Sequence, residues 1–468
     1  MQAACWRGWN NGWEAPRKRG WPPEMDALFD NLASGLAVFL AMVSGDAQTL
    51  ALKFAPFALL LEMPLYLLTW LGVMHYLWRR HSDPPAEIPY YPRVTCICNA
   101  YAEGRDVQYS VRSLLEQIYP GHIELLLVLD GAVANRATYD AIKELVPQFG
   151  GRHNRSVRFI PKPQRGGRVS ATNTGLLYAT GEIVMALDAD TSFDNEMVAH
   201  AIKPFANPNV VAATGPLRAR NGRKALITRL QAVEYMLAIY LGKVGLAEWN
   251  LINNLPGAFM IYRKSILDHV GGWNTGTGED LDLTLRVKQY LRRHPELKLV
   301  FAPGAVAHTE VPDTFSMFYK QRLRWDGDLS YVYFRKHWHA FSPMIGWRNF
   351  IANTWYGLLF QIFLPMLQVG FLAWMLVFQP VPFFIGTMLL VYCFYLAITV
   401  LQFLLFLALL SERPAQDAPY LWVLPLMPLF MVSARVWSVV ATFHEWFNRA
   451  HQDSPMGPWW VIRQGGPR

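Results

Sequence analysis

Ile183-Val184-Met185-Ala186-Leu187-Asp188-Ala189-Asp190 is the stretch on which the fold turns. Its uninterrupted apolar run reads as a strand buried on both faces, the kind found in parallel sheets covered by helices. Two carboxylates one residue apart then close the run. Asp is common where a strand gives way to a turn. A pair at that position also suits a hard divalent cation, which takes oxygen ligands and shares them with phosphates.

The same alternation extends toward the N-terminus. Residues 94–98, 124–129 and 157–160 read as strands, and 107–117, 137–146 and 169–178 as helices. Alternating strands and helices predict an α/β domain with a parallel sheet and helices on both faces. Ligands of such sheets sit beyond the carboxyl ends of the strands. Asp130 and Asp188 each close a strand, so both are expected at one cleft.

Composition sets the surroundings of this domain. Of 468 residues, 52% are hydrophobic and 17% charged, against about 25% charged in a typical soluble chain. The apolar excess lies at the two ends. Residues 1–82 are expected to form a membrane region with two transmembrane helices, and 90–330 the globular domain. Residues 331–350 read as an interfacial amphipathic helix, 351–447 as further transmembrane helices and 448–468 as a tail. Arg17-Lys18-Arg19 and Arg79-Arg80 flank the N-terminal apolar runs, which places the middle of the chain in the cytosol. The net charge of +8 comes without a basic, aromatic-interleaved repeat. It fits anionic lipid and phosphate, not nucleic acid. Cys96 and Cys98 lie too close together for the usual metal pair and fit a reducing compartment.

Two further motifs carry chemistry. Gly278-Glu279-Asp280 opens an apolar helix. Thr277 with Asp280 resembles a capping box, but a carboxylate here also suits a general base that deprotonates an acceptor hydroxyl. Asp280 is the candidate base, with Glu279 beside it. Gln321, Arg324 and Trp325 stand at i, i+3 and i+4, so one helical face holds an amide, a guanidinium and an indole. Arg suits diphosphate oxygens, and Trp offers a flat face to a sugar ring. The plainer reading is an amphipathic helix lying on a membrane.

Together these residues resemble the family 2 glycosyltransferases, especially the processive membrane synthases of cellulose, hyaluronan and poly-N-acetylglucosamine. The family's opening motif corresponds to 99–103, where Tyr101 and Glu103 are kept and the family's Pro and Asn are not. Its Asp-Asp-Gly corresponds to Leu129-Asp130-Gly131, and its Gly-Lys to Gly167-Arg168 with Asn173 downstream. The resemblance implies a GT-A (Rossmann-like) cytosolic domain inserted between transmembrane helices. It implies an inverting, metal-dependent hexosyltransferase that polymerises UDP-N-acetylglucosamine or UDP-glucose and moves the product across the plasma (inner) membrane. Asp190 and Asp188 would hold Mg²⁺ or Mn²⁺. Tyr101, Glu103, Asp130, Arg168, Asp188, Gln321, Arg324 and Trp325 would contact substrate. The implied partners are a UDP-sugar donor, the growing polysaccharide acceptor and membrane lipid, with room for a small accessory subunit or a homo-oligomer. The alternative is a non-processive enzyme that glycosylates a lipid acceptor.

Overall fold

The computed structural model describes residues 23–44, 62–82, 89–149, 154–274, 276–338 and 346–453. The basic run Arg17-Lys18-Arg19 and most of the expected 448–468 tail lie outside the described residues. Helices α1 (Pro23–Ser44) and α2 (Met63–Ser82) come first. The α/β domain then runs β1 (Val94–Ala100), α3 (Val107–Leu115), β2 (Ile123–Asp130), α4 (Arg136–Leu145), β3 (Arg155–Lys162), α5 (Arg168–Tyr178) and β4 (Ile183–Asp188). It continues through β5 (Ser192–Phe193), β6 (Val210–Thr214), β7 (Leu217–Ala219), α6 (Leu226–Glu234), α7 (Gly242–Glu248), β8 (Phe259–Arg263) and α8 (Lys264–Val270). Helix α9 (Glu279–Leu291), β9 (Lys298–Phe301), β10 (Ala307–Thr309) and α10 (Phe315–Tyr331) complete it. Helices α11 (Trp347–Phe378), α12 (Val381–Leu409) and α13 (Met427–Asn448) follow.

The main sheet has seven strands in the order β3-β2-β1-β4-β8-β6-β9, and β5-β10-β7 form a second, three-stranded sheet. Strands β1 to β4 are parallel, as expected. The sheet as a whole is mixed, which corrects the all-parallel expectation: β8 runs antiparallel to both β4 and β6. All eight residues of β2 are buried, and each fully buried Leu or Ile there contributes about 1.5–3 kcal/mol. Strand β3 at the sheet's edge is only partly buried and carries Arg155, Arg158 and Lys162. Charge on an edge strand discourages pairing with another chain. Cys96 and Cys98 both lie in the core as free thiols.

Four described helices are long and apolar enough to cross a membrane: Glu24–Ser44, Trp347–Phe378, Val381–Leu409 and Pro414–Asn448. The last is not uniform. Its 418–426 stretch winds as a 3₁₀ helix before α13 begins, with Pro425 inside it and Pro428 just beyond. Each proline removes a backbone donor that a straight α-helix would use. Contacts divide the chain into two compact units, Met1–Leu52 with Leu372–Cys393, and Lys53–Phe371 with Phe394–Arg468. In the first, Gly35 of α1 lies against Ile385.

In the second unit, α2 is joined to the α/β domain through α7. A Cβ on Gly72 would overlap the carbonyl of Gly245, and one on Gly245 would overlap the carbonyl of Thr69, so the two helices cross backbone to backbone. Beside the crossing, Glu248 accepts from Arg79 Nη2 at 2.5 Å and pairs with His75 Nδ1 at 3.0 Å, and the Trp249 indole donates to the Leu68 carbonyl at 2.9 Å. Because both obstructing groups are backbone, a side chain cannot be relieved by a rotamer change. Gly245→Val is expected to destabilise the protein by about 1–3 kcal/mol, read as a lowered Tm in detergent. An unchanged Tm would show that the helices separate freely.

Candidate active site

The carboxyl ends of β1 to β4 share one edge of the sheet. Pairing register sets Asn99 opposite Asp188 and Asp130 opposite Lys162. The Asp130 carboxylate accepts from Lys162 Nζ at 2.7 Å, Gly166 N at 2.8 Å and Gly167 N at 2.7 Å. Its oxygens are thus engaged in fixing the turn that launches α5 and delivers Arg168. Nearby, the Glu103 carboxylate accepts from Tyr101 N at 2.7 Å. This leaves the Tyr101 ring exposed, with the Arg165 guanidinium 4.2 Å above it. A flat aromatic face capped by a cation suits a planar base. Burial raises the Glu103 carboxyl above its ordinary range, and the charges of Asp190 and Asp188 add to the rise.

Arg168 joins three of the expected motifs. Its Nη2 donates to Asp188 Oδ1 at 2.7 Å and to the Gly257 carbonyl at 2.6 Å, and its Nε to Glu279 Oε1 at 2.9 Å. Gly257 in turn donates its N–H to Asp280 Oδ2 at 3.0 Å, while Asp280 Oδ1 accepts from Leu281 N at 2.7 Å. Asp280 therefore makes no capping box with Thr277; Gly278 holds the cap position with φ of 64°. A Cβ there would also crowd Val332 at 2.8 Å, so the turn needs glycine both for its backbone and for its space. Glu279, Asp280 and Asp282 fill the first turn of α9, where the helix dipole favours negative charge. Burial pushes the Glu279 carboxyl up, and Arg168 opposes the rise. Asp282 is fully buried, yet the His337 hydrogen bond at 2.6 Å, Lys336 and Arg286 hold it down at about 2.

Asp190 is exposed in the cleft. Its carboxyl is pushed up to about 6, first by its low-polarity surroundings and next by the neighbouring Asp188 charge. A carboxyl raised beside a neighbouring carboxylate in this way is a fit for a divalent cation, which would relieve the repulsion. Among the described residues no cluster of three His, Cys, Asp or Glu is ready to cage an ion. The donor set therefore suits Mg²⁺ or Mn²⁺, which commonly take one or two carboxylates and complete their shell with substrate phosphate.

Helix α10 places Gln321, Arg324 and Trp325 together, as their spacing requires. Trp325 is partly exposed, and the Gln321 Oε1 atom is buried without a partner. Arg324 acts electrostatically on Glu279, so this face adjoins the α9 motif. Arg322, which the sequence reading passed over, pairs with Glu234 at 2.5 Å and stacks 5.1 Å from the Trp325 ring. It holds the indole in place. Its signal was present, since a cation at i−3 shares a helical face with the Trp. Burial also pushes Asp326 up to about 6 and Asp328 up to about 7. Lys243, buried on α7, donates to Asn254 O at 2.7 Å, and burial lowers its amine to about 7.

Arg218 lines a cavity of about 250 Å³ with Arg220, Arg223, His308 and Arg413. These cations are already matched: Arg218 by Asp417 at 2.9 Å and Glu412 at 2.8 Å, Arg413 by Asp194 at 2.6 Å, and Arg220 by Glu310 at 3.2 Å.

The raised Asp328 carboxyl gives a pH test. An unfolded Asp titrates near ~3.9, so between roughly pH 4 and 7 the folded chain holds a proton there that the unfolded chain has lost. That contribution to stability is present at low pH and is lost as pH rises through about 7, with a slope of about 1.4 kcal/mol per pH unit. Asp328→Asn is neutral throughout. Its Tm relative to the parent is expected to improve from pH 5 to pH 8; an equal difference at both values would show Asp328 ionised throughout.

Residues 95–271 match the family model of glycosyl transferase family 2. The poly-beta-1,6-N-acetyl-D-glucosamine synthase of Staphylococcus epidermidis is 29% identical over 247 residues, covering 52% of this chain and 56% of that protein. The match thus spans little more than half the length of that relative. The protein named probable glycosyltransferase YdaM of Bacillus subtilis is 25% identical over 340 residues, covering 66% and 77%. Among solved structures, a mannosyltransferase from Pyrobaculum calidifontis, in complex with GDP-Man and Mn²⁺, superposes with a TM-score of 0.52 at 17% identity, covering 83% of this chain and 98% of that one. That likeness is one of fold. The α/β domain has the GT-A fold, flanked by apolar helices at both ends, and its residues 95–271 carry the match to glycosyl transferase family 2.

Proposed function

We propose that this protein is a membrane polysaccharide synthase that transfers a hexose from a UDP-sugar, with inversion, to the end of a growing β-linked polymer. The observation that carries the proposal is the Arg168 junction, which ties the Asp188 end of β4 to the Glu279-Asp280 start of α9. A nucleotide diphosphate beside Asp188 and an acceptor hydroxyl beside Asp280 would then lie on opposite sides of one reacting carbon.

Asp280 is the general base. Backbone N–H groups of Gly257 and Leu281 each hold one of its oxygens, which fixes the carboxylate without neutralising it. It takes the proton of the acceptor hydroxyl as the new C–O bond forms, and the diphosphate leaves from the other face. A Mg²⁺ or Mn²⁺ ion held by Asp190 and Asp188 would neutralise the charge developing on that diphosphate. Arg324 adds a cation on the same side, Tyr101 under Arg165 receives the uracil, and Trp325 presents a face to the acceptor sugar. UDP-N-acetylglucosamine is the preferred donor, by likeness to the staphylococcal synthase, with UDP-glucose next. The α/β domain faces the cytosol of a cell whose plasma (inner) membrane holds the apolar helices, and the polymer leaves across that membrane.

The test is to incubate the full chain in lipid with Mg²⁺ or Mn²⁺ and each UDP-sugar singly, and to size the product. A long polymer from one donor is expected. UDP release with only a single sugar on lipid would replace the proposal with the non-processive reading. Asp280→Asn is expected to lower transfer at least a hundredfold, in the range that loss of a general base costs, while UDP binding stays within a few-fold. An active variant would remove Asp280 from the base role.

A further inference from the structure

Two buried amines lie behind the candidate base, and the transfer described above uses neither. Lys243, the second residue of α7, is 7% exposed, and Lys288 of α9 is 3% exposed. Taking an ammonium out of water without a counter-charge is costly. Among the described residues neither amine has a carboxylate within ion-pair distance. Lys243 Nζ donates instead to the Asn254 carbonyl at 2.7 Å and to Asn254 Oδ1 at 3.1 Å, and Lys288 Nζ lies 3.4 Å from Asn353 Oδ1. Burial lowers both amines to about 7. An apolar side chain of similar length would fill the place of Lys243 at lower cost, so stability alone does not account for a lysine there.

What Lys243 grips explains it better. Residues 251–256 are neither helix nor strand, so this stretch has no ladder of backbone hydrogen bonds to fix it. It is held by anchors. At its far end, Arg168 Nη2 donates to the Gly257 carbonyl at 2.6 Å from the cleft side. At its near end, Lys243 takes both oxygens of Asn254 from the rear. A lysine carries three donors on one nitrogen, and two of them on a single residue fix its backbone and its side chain together.

The stretch between these anchors places Asp280. Two N–H groups hold the Asp280 carboxylate, those of Leu281 and Gly257, and Gly257 is the one outside α9. Leu255 N donates to Thr284 Oγ1 at 3.1 Å, and Thr284 Oγ1 donates to the Asp280 carbonyl at 2.7 Å. Asp280, Thr284 and Lys288 stand at i, i+4 and i+8 and share one face of α9. Lys243 acts electrostatically on both Asp280 and Lys288, so its amine lies behind that face. Helix α7 itself continues from a π-helical stretch, Tyr235–Leu241, a local winding found often at functional sites.

Resting on the transfer reading above, we propose that Lys243 is a positioning residue for the reaction: it clamps Asn254 from the rear and, through the 254–257 stretch, sets where the Asp280 carboxylate meets the acceptor hydroxyl. It touches no substrate. Misplacing a reacting group by about 1 Å can cost about a hundredfold in rate, so a loosened 254–257 stretch is expected to show in kcat and much less in donor binding.

The experiment measures UDP release by the full chain in lipid nanodiscs, with Mg²⁺ or Mn²⁺ and the UDP-sugar the parent uses. Lys243→Met keeps most of the side chain's length and removes its donors. It is expected to lower kcat at least about tenfold while KM for the UDP-sugar stays within about threefold. Lys243→Gln keeps an N–H donor and is expected to fall between the parent and Lys243→Met. On the same samples, amide hydrogen exchange in peptides covering 254–257 is expected to quicken at least about tenfold in Lys243→Met, while β2 exchanges at the parent's rate. A parent-like kcat in Lys243→Met would overturn the inference, and so would a fall in kcat with no faster exchange at 254–257. If Lys243→Met no longer binds UDP, Lys243→Gln decides by the same readouts. A parent chain that releases no UDP from any UDP-sugar would overturn the function proposed above; hydrogen exchange at 254–257 then tests the hold of Lys243 by itself.

Discussion

The guanidinium of Arg168 is the joint on which the candidate site depends. It meets Asp188, Glu279 and the Gly257 carbonyl at once, from three separate parts of the chain. Bringing carboxylates this close in a largely buried place is unfavourable without a counter-charge, and removing one partner of such a cluster typically costs about 3–5 kcal/mol. The arrangement is also specific to arginine. Its planar fork can address two groups through one nitrogen and a third through Nε, whereas a lysine is a single point charge. Everything upstream serves to place this group: Asp130 secures the 166–167 turn, and that turn sets the first residue of α5.

This division of labour explains what was legible in the chain. The β1 to β4 alternation is written in apolar runs and helical periods, and the structure reproduces it to within a few residues. The direction of β8 is not written there. Phe259-Met260-Ile261-Tyr262 is a buried apolar run that reads the same whether a strand lies parallel or antiparallel to its neighbours. The candidate residues were found because carboxylates at strand ends and helix starts carry a local signature. Their pairing was not, because Arg168 reaches Gly257, 89 positions away, and no spacing rule spans that gap. Asp130 shows the converse. Its place at a strand end marks it as a cleft residue, but only coordinates reveal that its oxygens are taken by Lys162 and two backbone N–H groups.

Electrostatics in this site follow from burial more than from ion pairs. Glu103, Asp190, Glu279, Asp326 and Asp328 are all raised, and in each the low polarity of the surrounding protein is the leading cause. Asp282 is the exception because it takes a hydrogen bond from His337 and lies beside Lys336 and Arg286. Such a concentration of raised carboxyls is common where charge is to be handled during a reaction. It is also a cost to the folded state, one that a bound cation and a diphosphate with its own partners would partly offset.

Helix α2 and the candidate base are linked through one short helix. On one face of α7, Gly245 lets the α2 backbone approach and Glu248 binds His75 and Arg79. On another, Lys243 holds Asn254 through both its carbonyl and its side-chain oxygen, at 2.7 and 3.1 Å. Three residues later Gly257 holds Asp280, and between them Leu255 N donates to Thr284 of the same helix, α9, at 3.1 Å. A shift of α2 along α7 cannot be absorbed by side chains at a backbone-to-backbone crossing. It must be carried into α7 and, through Lys243, into the segment that positions Asp280. Helix α2 is therefore part of the geometry of the candidate base.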